Sequence, residues 1–559
     1  MDCRPAFLKL SKGVFKMSSE TIKQEIQAGQ TALGIELGST RIKAVLIDSH
    51  FETIAAGSFT WENKFVDGIW TYPLKEVWQG LQSAYTELTN KIRAEYGVSV
   101  TQIGAIGVSA MMHGYLAFDK NGQQLVPFRT WRNNITGEAA DQLTKLFNFN
   151  IPERWSIAHL YQAILNQEKH VDQLDFMTTL AGYVTWQLSG EKVIGIGDAS
   201  GMFPIDEQTH DYNAKMITQF ESYTGVLGHN IKIRHLFPKV LLAGDRAGML
   251  TAAGAKLLDA TGTLQEGALM VPPEGDAGTG MTATNAVRKR TGNISAGTSA
   301  FAMVVLDKPL SQVHRDIDIV TTPDGAPVAM VHTNNCTSDI NAWMGLFAEF
   351  AKATGQHLSA DELYKTLFNE STKGDPDCGG VLNFSNVSGE NITNIQEGRP
   401  LFVRTPNSNF TLANFIKAQL YSAFAPLKIG MDILTKKEHI HTDAMIAQGG
   451  IFRTPKIAQQ VLADALDIPI TLMANAGEGG PWGMAVLALY GLNNADHESL
   501  ADYLDHQVFA QPESTTLDPV AANVQGFDDY IAVYQKALPV AVAAGDDIQD
   551  YQPSKQVKE

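Results

Sequence analysis

Two short turns in this sequence have the composition of an oxyanion cradle. Gly38-Ser39-Thr40 and Gly297-Thr298-Ser299 each join two apolar runs, and each offers closely spaced backbone N–H groups with hydroxyl donors beside them. Glu36 ends the run that feeds the first turn, where a carboxylate can hold Mg²⁺ through water. A third cluster, Glu274-Gly-Asp276-Ala-Gly-Thr-Gly280, puts a carboxylate among glycines ahead of a helical run at Met281–Val287. Asp276 in that position is either a plain helix cap or a general base fixed by the helix start. Ser109-Ala-Met-Met112-His113-Gly114 follows an apolar strand, so His113 falls at a strand's C-terminal end, where open α/β sheets bind ligands. Trp131, in Thr130-Trp-Arg-Asn133-Asn134, can wall a sugar. Gly449-Gly450-Ile-Phe452 precedes a helix and permits close backbone approach to a flat ring. Taken singly, each of these segments is also what an ordinary turn or packing residue looks like.

Other chemistries are missing. The chain has no Gly-Lys dipeptide and hence no P-loop, no His-Glu-x-x-His and no Gly-x-Ser-x-Gly. Gly278-Thr-Gly-Met-Thr-Ala283 matches the Gly-x-Gly-x-x-Ala form of a dinucleotide fingerprint. However, Pro272-Pro273-Glu274 precedes it where a clean strand should stand.

The elements that must position these residues alternate between periods of two and 3.6. Ala32–Asp48 reads as strand, turn, strand, and Gly292–Asp307 repeats the design about 260 residues later, which suggests two related halves. Strands are predicted at Ile103–Ser109, Ile317–Thr322 and Val328–Thr333. Helices are predicted at Leu74–Glu95, Ile157–Gln167, Asp175–Leu188, Ile340–Ala353, Leu412–Leu434, Thr454–Leu466 and Trp482–Tyr490, with an amphipathic stretch at Ser19–Ala28. Such mixing indicates α/β layers.

Composition sets the class. The 559 residues are 44% hydrophobic and 18% charged, with 43 Lys+Arg against 60 Asp+Glu and a net charge of −17. An acidic surface disfavours nucleic acid and anionic membrane as partners. Cys3, Cys336 and Cys378 lie too far apart in sequence for a disulfide framework, as expected of a soluble protein in a reducing compartment. Met1–Lys16 fails as a signal peptide. Lys12-Gly13-Val14 can be encoded by a ribosome-binding sequence, so translation is expected to start at Met17. Disorder is expected over residues 1–30 and in a polar tail at 546–559.

Together and in order, these segments resemble the FGGY carbohydrate kinases over about Thr31 to Tyr490. The resemblance implies an α/β fold of two actin/hexokinase-like (ribonuclease H-like) domains around a cleft. It places a sugar-binding domain at 31–287 and a nucleotide-binding domain at 288–545. It implies that Asp276 is the catalytic base, and that Met112, His113, Trp131 and Asn133 meet the sugar. Gly38, Ser39, Thr40, Lys43, Gly297, Thr298, Ser299, Gly449, Gly450 and Phe452 would meet ATP, with Glu36 on Mg²⁺. The family's usual Asp is Glu36 here. Its Gln before Met-His is Met111, and its Trp-x-Asp-x-Arg has become Trp131-Arg-Asn133-Asn-Ile135. The overall pattern is similar to a ribulokinase-type branch of lactic acid bacteria. L-Ribulose is therefore the first expected substrate, in L-arabinose use, with D-xylulose second and a non-catalytic regulator more remote. A cytoplasmic enzyme, possibly a homodimer, is the accompanying expectation.

Overall fold

The computed structural model describes residues 17–473, 479–493, 498–510 and 514–551. The proposed start-site segment 1–16, with Cys3, lies outside the described residues, as does 552–559 of the expected tail. The expectation of disorder over 1–30 fails after residue 17. Ser19–Ala28 (α1) is a helix capped by the Ser18 hydroxyl on the N–H of Thr21 and closed by Gly29 at φ 66°.

The first sheet contains β1 (Ala32–Leu37), β2 (Arg41–Ile47), β3 (Thr53–Thr60), β4 (Ala105–Ala110), β5 (Leu269–Met270) and β6 (Glu274–Gly275). Its order is β5-β4-β1-β2-β3, with β6 also pairing with β4. β1 is antiparallel to β2 and parallel to β4, which sets Glu36 opposite Lys43 on one side and Ser109 on the other. The near-continuous apolar runs of β1 and β4 fit strands buried on both faces. Leu74–Tyr96 (α2) packs on β2 and β3. The short helix Ile196–Ala199 (α3) lies beside β6, and Asp276–Ala283 (α4) leaves β6 directly for the second half. The Gly278–Ala283 motif therefore sits inside a helix and not at a strand-to-helix turn, which removes the dinucleotide reading.

The second sheet contains β7 (Thr291–Ala296), β8 (Ala300–Val305), β9 (Asp318–Thr321), β10 (Pro327–Thr333), β11 (Ala444–Gln448), β12 (Ile470–Met473) and β13 (Ser514–Leu517), in the order β9-β10-β8-β7-β11-β12-β13. Its inner strands β12-β11-β7-β8-β10 repeat β5-β4-β1-β2-β3, with the antiparallel hairpin and parallel neighbour in the same places. The two hairpins recognised in the sequence are thus equivalent parts of two equivalent sheets. Ser338–Ala353 (α5), Ala360–Ser371 (α6) and Leu412–Asp432 (α7) belong to this half, α7 being buried almost all round.

One departure concerns the domain boundary. Gly480–Asn493 (α8), although expected within 288–545, packs on β1, β4, β2 and α4 of the first half. The approach is close: a Cβ on Gly34 would lie 1.9 Å from the Pro481 carbonyl oxygen. Only a strand residue without a side chain admits this helix. Leu500–Leu504 joins the same core. At the C-terminus, the last helix continues to Asp547, two residues into the expected tail.

Candidate active site

Each phosphate-type turn has its carbonyl oxygens captured from behind. In the first, Trp61 Nε1 donates to the Gly38 carbonyl at 2.8 Å, and the Tyr72 hydroxyl donates to the Ser39 carbonyl at 2.6 Å. The two aromatic rings stack with centroids 4.2 Å apart. In the second, the N–H and hydroxyl of Thr337 reach the Gly297 carbonyl at 3.1 and 2.8 Å, and the Cys336 N–H reaches that of Thr298 at 2.9 Å. With the carbonyls tied inward, the N–H groups of Ser39, Thr40, Thr298 and Ser299 have no partner among the described residues. Two unrelated sets of donors thus produce the same result, a turn that presents N–H groups to an anion. Trp61, Tyr72 and Thr337 carry no local sequence signal for this role.

The strand ends β1, β4 and β6 stop together, bringing two carboxylates to one edge. Burial and the charge of Asp276 push Glu36 up to about 7, with Lys43 opposing from the next strand. Lys43 is the residue opposite Glu36 in the β1–β2 register. Asp276 is the first residue of α4, and its Oδ1 accepts the Met112 N–H at 3.3 Å. Its side chain is open to the cleft, yet the protein packed around it desolvates the carboxylate and pushes it up to about 6, against the hydrogen bonds it accepts from backbone N–H groups. The same residue is thus a helix-start aspartate and a cleft-facing carboxylate of base-like acidity, so the two readings left open by the sequence are compatible. Among the described residues, no three His, Cys, Asp or Glu side chains form a cage for a metal. One or two carboxylates completed by phosphate oxygens and water is nevertheless the ligand set that Mg²⁺ takes, and Glu36 fits it.

The sugar segment is only partly as expected. His113 is buried at φ 72°, and Nδ1 faces the Gly201 carbonyl at 3.4 Å. Burial and the nearby Arg154 hold its imidazole well below the usual range, so the ring is neutral. Assigning the proton to Nδ1 leaves Nε2 as an acceptor for a hydroxyl. Met112 is buried against Gly275 and contributes its N–H to Asp276. Trp131 is 37% exposed and available as a wall. Asn133 is not free: its Oδ1 accepts the Trp70 N–H at 2.8 Å, and its Nδ2 donates to the carbonyls of Trp70 (2.8 Å) and Thr130 (3.0 Å). It pins a neighbouring strand and has no amide group left for sugar. Arg132, next to it, lies over the Trp70 ring at 3.8 Å.

On the second half, Gly297 and Gly450 line one cleft of about 620 Å³ together with Asn341, Tyr364, Lys365 and Arg453, large enough for a nucleoside. Gly449, at φ 131°, lets this turn meet the end of β7, since a Cβ there would fall 2.0 Å from the Ala296 carbonyl oxygen. Phe452 is not a lining residue. It packs beneath, stacked on Phe424 at 6.4 Å in the core. The sequence reading missed Asn341, Tyr364 and Arg453, whose types and spacing are ordinary for surface helices and turns.

Known proteins share this architecture. The model of the N-terminal domain of the FGGY family of carbohydrate kinases matches residues 31–264, and that of the C-terminal domain matches 292–492. The chain belongs to the FGGY family. A xylulose kinase of Haemophilus influenzae is 20% identical to this FGGY kinase over 85% of this chain and 93% of its own. Among solved structures, a ligand-bound xylulose kinase from Lactobacillus acidophilus has a TM-score of 0.75 at 15% identity, covering 93% of this chain and 100% of its own. A gluconate kinase from the same organism has a TM-score of 0.74 at 16% identity, covering 93% and 99%. The fold is the actin/hexokinase-like pair of domains that the sequence resemblance implied.

Proposed function

We propose that this FGGY kinase transfers the γ-phosphoryl group of ATP to a hydroxyl of a ketopentose, with D-xylulose ahead of L-ribulose. The observation that carries the reading is Asp276: a carboxylate open to the cleft but surrounded by protein, with a value of about 6, at a helix start, hydrogen-bonded to the segment that holds a neutral His113. The order of sugars reverses the one drawn from sequence pattern, because curated relatives across most of the chain carry the name xylulose kinase.

In this reading Asp276 accepts the proton of the attacking hydroxyl as its oxygen bonds to the γ-phosphorus and the bond to the β-phosphate oxygen breaks, releasing ADP. His113 Nε2 orients a sugar hydroxyl. The two turns hold phosphate oxygens by N–H groups, and the 620 Å³ cleft takes the nucleoside. Glu36 would hold Mg²⁺, which neutralises phosphate charge. Positioning carries most of the rate in such a transfer.

The test is ADP release with Mg·ATP against D-xylulose, L-ribulose, D-ribulose, L-xylulose and glycerol. D-Xylulose is expected to lead in kcat/KM by about tenfold, worth ~1.4 kcal/mol. An L-ribulose lead would restore the first ordering. No turnover with any sugar, despite ATP binding, would overturn the kinase reading.

A further inference from the structure

The four-residue helix α3 and Ser200 after it are attached to three functional parts at once. On one side, the Glu274 carboxyl accepts the N–H groups of Gly197 (3.4 Å) and Asp198 (3.1 Å), and only Gly275 separates Glu274 from Asp276. On a second side, the Gly201 N–H donates to the Asp198 carbonyl at 3.0 Å, while the Gly201 carbonyl faces His113. On the third, Ser200 Oγ accepts the N–H of Thr321 at 3.1 Å, and Thr321 belongs to β9 of the second half. Ser200 Oγ also donates to the Gly197 carbonyl at 2.5 Å, which closes the turn on itself. Asp198 is held in turn by the Thr179 hydroxyl at 2.5 Å.

Asp198, Glu274 and Ser200 are almost wholly buried, and neither carboxyl has an ion-pair partner among the described residues. Burial pushes both upward, Asp198 to about 7. Buried carboxyls without a cation are costly to a fold. The Glu274 carboxyl is bonded to the segment that also faces the sugar histidine and engages the opposite domain, and Asp198, on that segment, is tied to Thr179.

Resting on the kinase reading, we propose that α3 and Ser200 transmit closure of the second domain to the active site, with Glu274 and Ser200 as positioning residues for Asp276 and His113. A movement of β9 acts on Ser200, passes through a turn too short to flex, and reaches Glu274 and Gly201 together. The sugar histidine and the base are then aligned by one displacement.

Two variants test this without altering Asp276, His113 or the ATP turns. Ser200→Ala removes the acceptor for Thr321. Gly197→Ala places a Cβ 2.3 Å from Glu274 Oε2 and displaces that carboxyl. Each is expected to lower kcat by about 10–100-fold while the KM for ATP stays within about twofold. In hydrogen exchange on the sugar-free protein, Ser200→Ala is expected to loosen residues 111–114 and 273–281, which it does not itself contact. Wild-type-like kcat in both variants, or exchange changes confined to 196–201 and 318–322, would overturn the proposal. Should the wild type phosphorylate no sugar, the kinase reading fails and the exchange result still decides whether the coupling exists.

Discussion

As the proposed base, Asp276 meets two opposed demands with one carboxylate. To take a proton it must be ionised, yet desolvation by the protein around the cleft favours its neutral form and raises it from 3.8 to about 6. Since the base works deprotonated, kcat/KM is expected to rise with pH through about 6 and then level, a profile that initial rates over a buffer series would show. The effect on stability has the opposite sign. The folded state binds the extra proton between the unfolded and folded values, so stability falls as pH rises from about 4 through about 6. Asp276→Asn should therefore lose about 10²–10⁴ in kcat and gain stability above neutrality, by well under the full value of the shift because water reaches the carboxylate, with no gain in acid below the unfolded value. Thermal unfolding at both extremes of pH checks it. A variant that is inactive and also less stable at every pH would show that Asp276 is a structural residue.

At the scale of elements, the hairpins work because something behind them fixes their peptide planes. Glycine and hydroxyl residues allow the turn, but Trp61 and Tyr72 decide which way its carbonyls face. Tyr72→Phe keeps the stacked ring and removes the bond to Ser39 together with the hydroxyl's contact to Asn63. It is expected to lower kcat/KM for ATP by about fivefold, the worth of roughly 1 kcal/mol, and to leave the KM for sugar unchanged. Equal losses for both substrates would show that the hairpin is not specific to phosphate. Thr337 plays the matching part in the second turn, from a strand-to-helix junction instead of from aromatic residues.

For the whole molecule, the chain's return through α8 binds the halves into one unit. The core of the first half includes Met484–Tyr490, contributed from the far side of the second sheet. A fragment ending at residue 287 should consequently lack one cover of its sheet and fail to fold cooperatively by circular dichroism. Gly34→Ala in the full chain, which sets a Cβ against the Pro481 carbonyl, should cost about 3 kcal/mol. The halves also meet where Asn150 donates to the Ile317 carbonyl and Asp318 Oδ1, both at 3.0 Å, and where Arg154 pairs with Asp318. These ties lie at the start of β9, the same strand that engages Ser200.

By itself the sequence determined the repeated strand-turn-strand units, most helices to within a few residues, and Asp276 and His113 as the residues to watch. Those features depend on local periodicity and on residue chemistry, both of which are written along the chain. Asn133 and Phe452 were assigned to ligands from position in a motif. The tertiary structure spent Asn133 on Trp70 and buried Phe452 against Phe424, because what a side chain can bind depends on what already surrounds it. Trp61, Tyr72, Glu274 and Ser200 act on partners 23, 33, 76 and 121 residues away, and α8 crosses back to a sheet that began at residue 32. Contacts at such separations leave no period or spacing to read, so only the folded chain decides them.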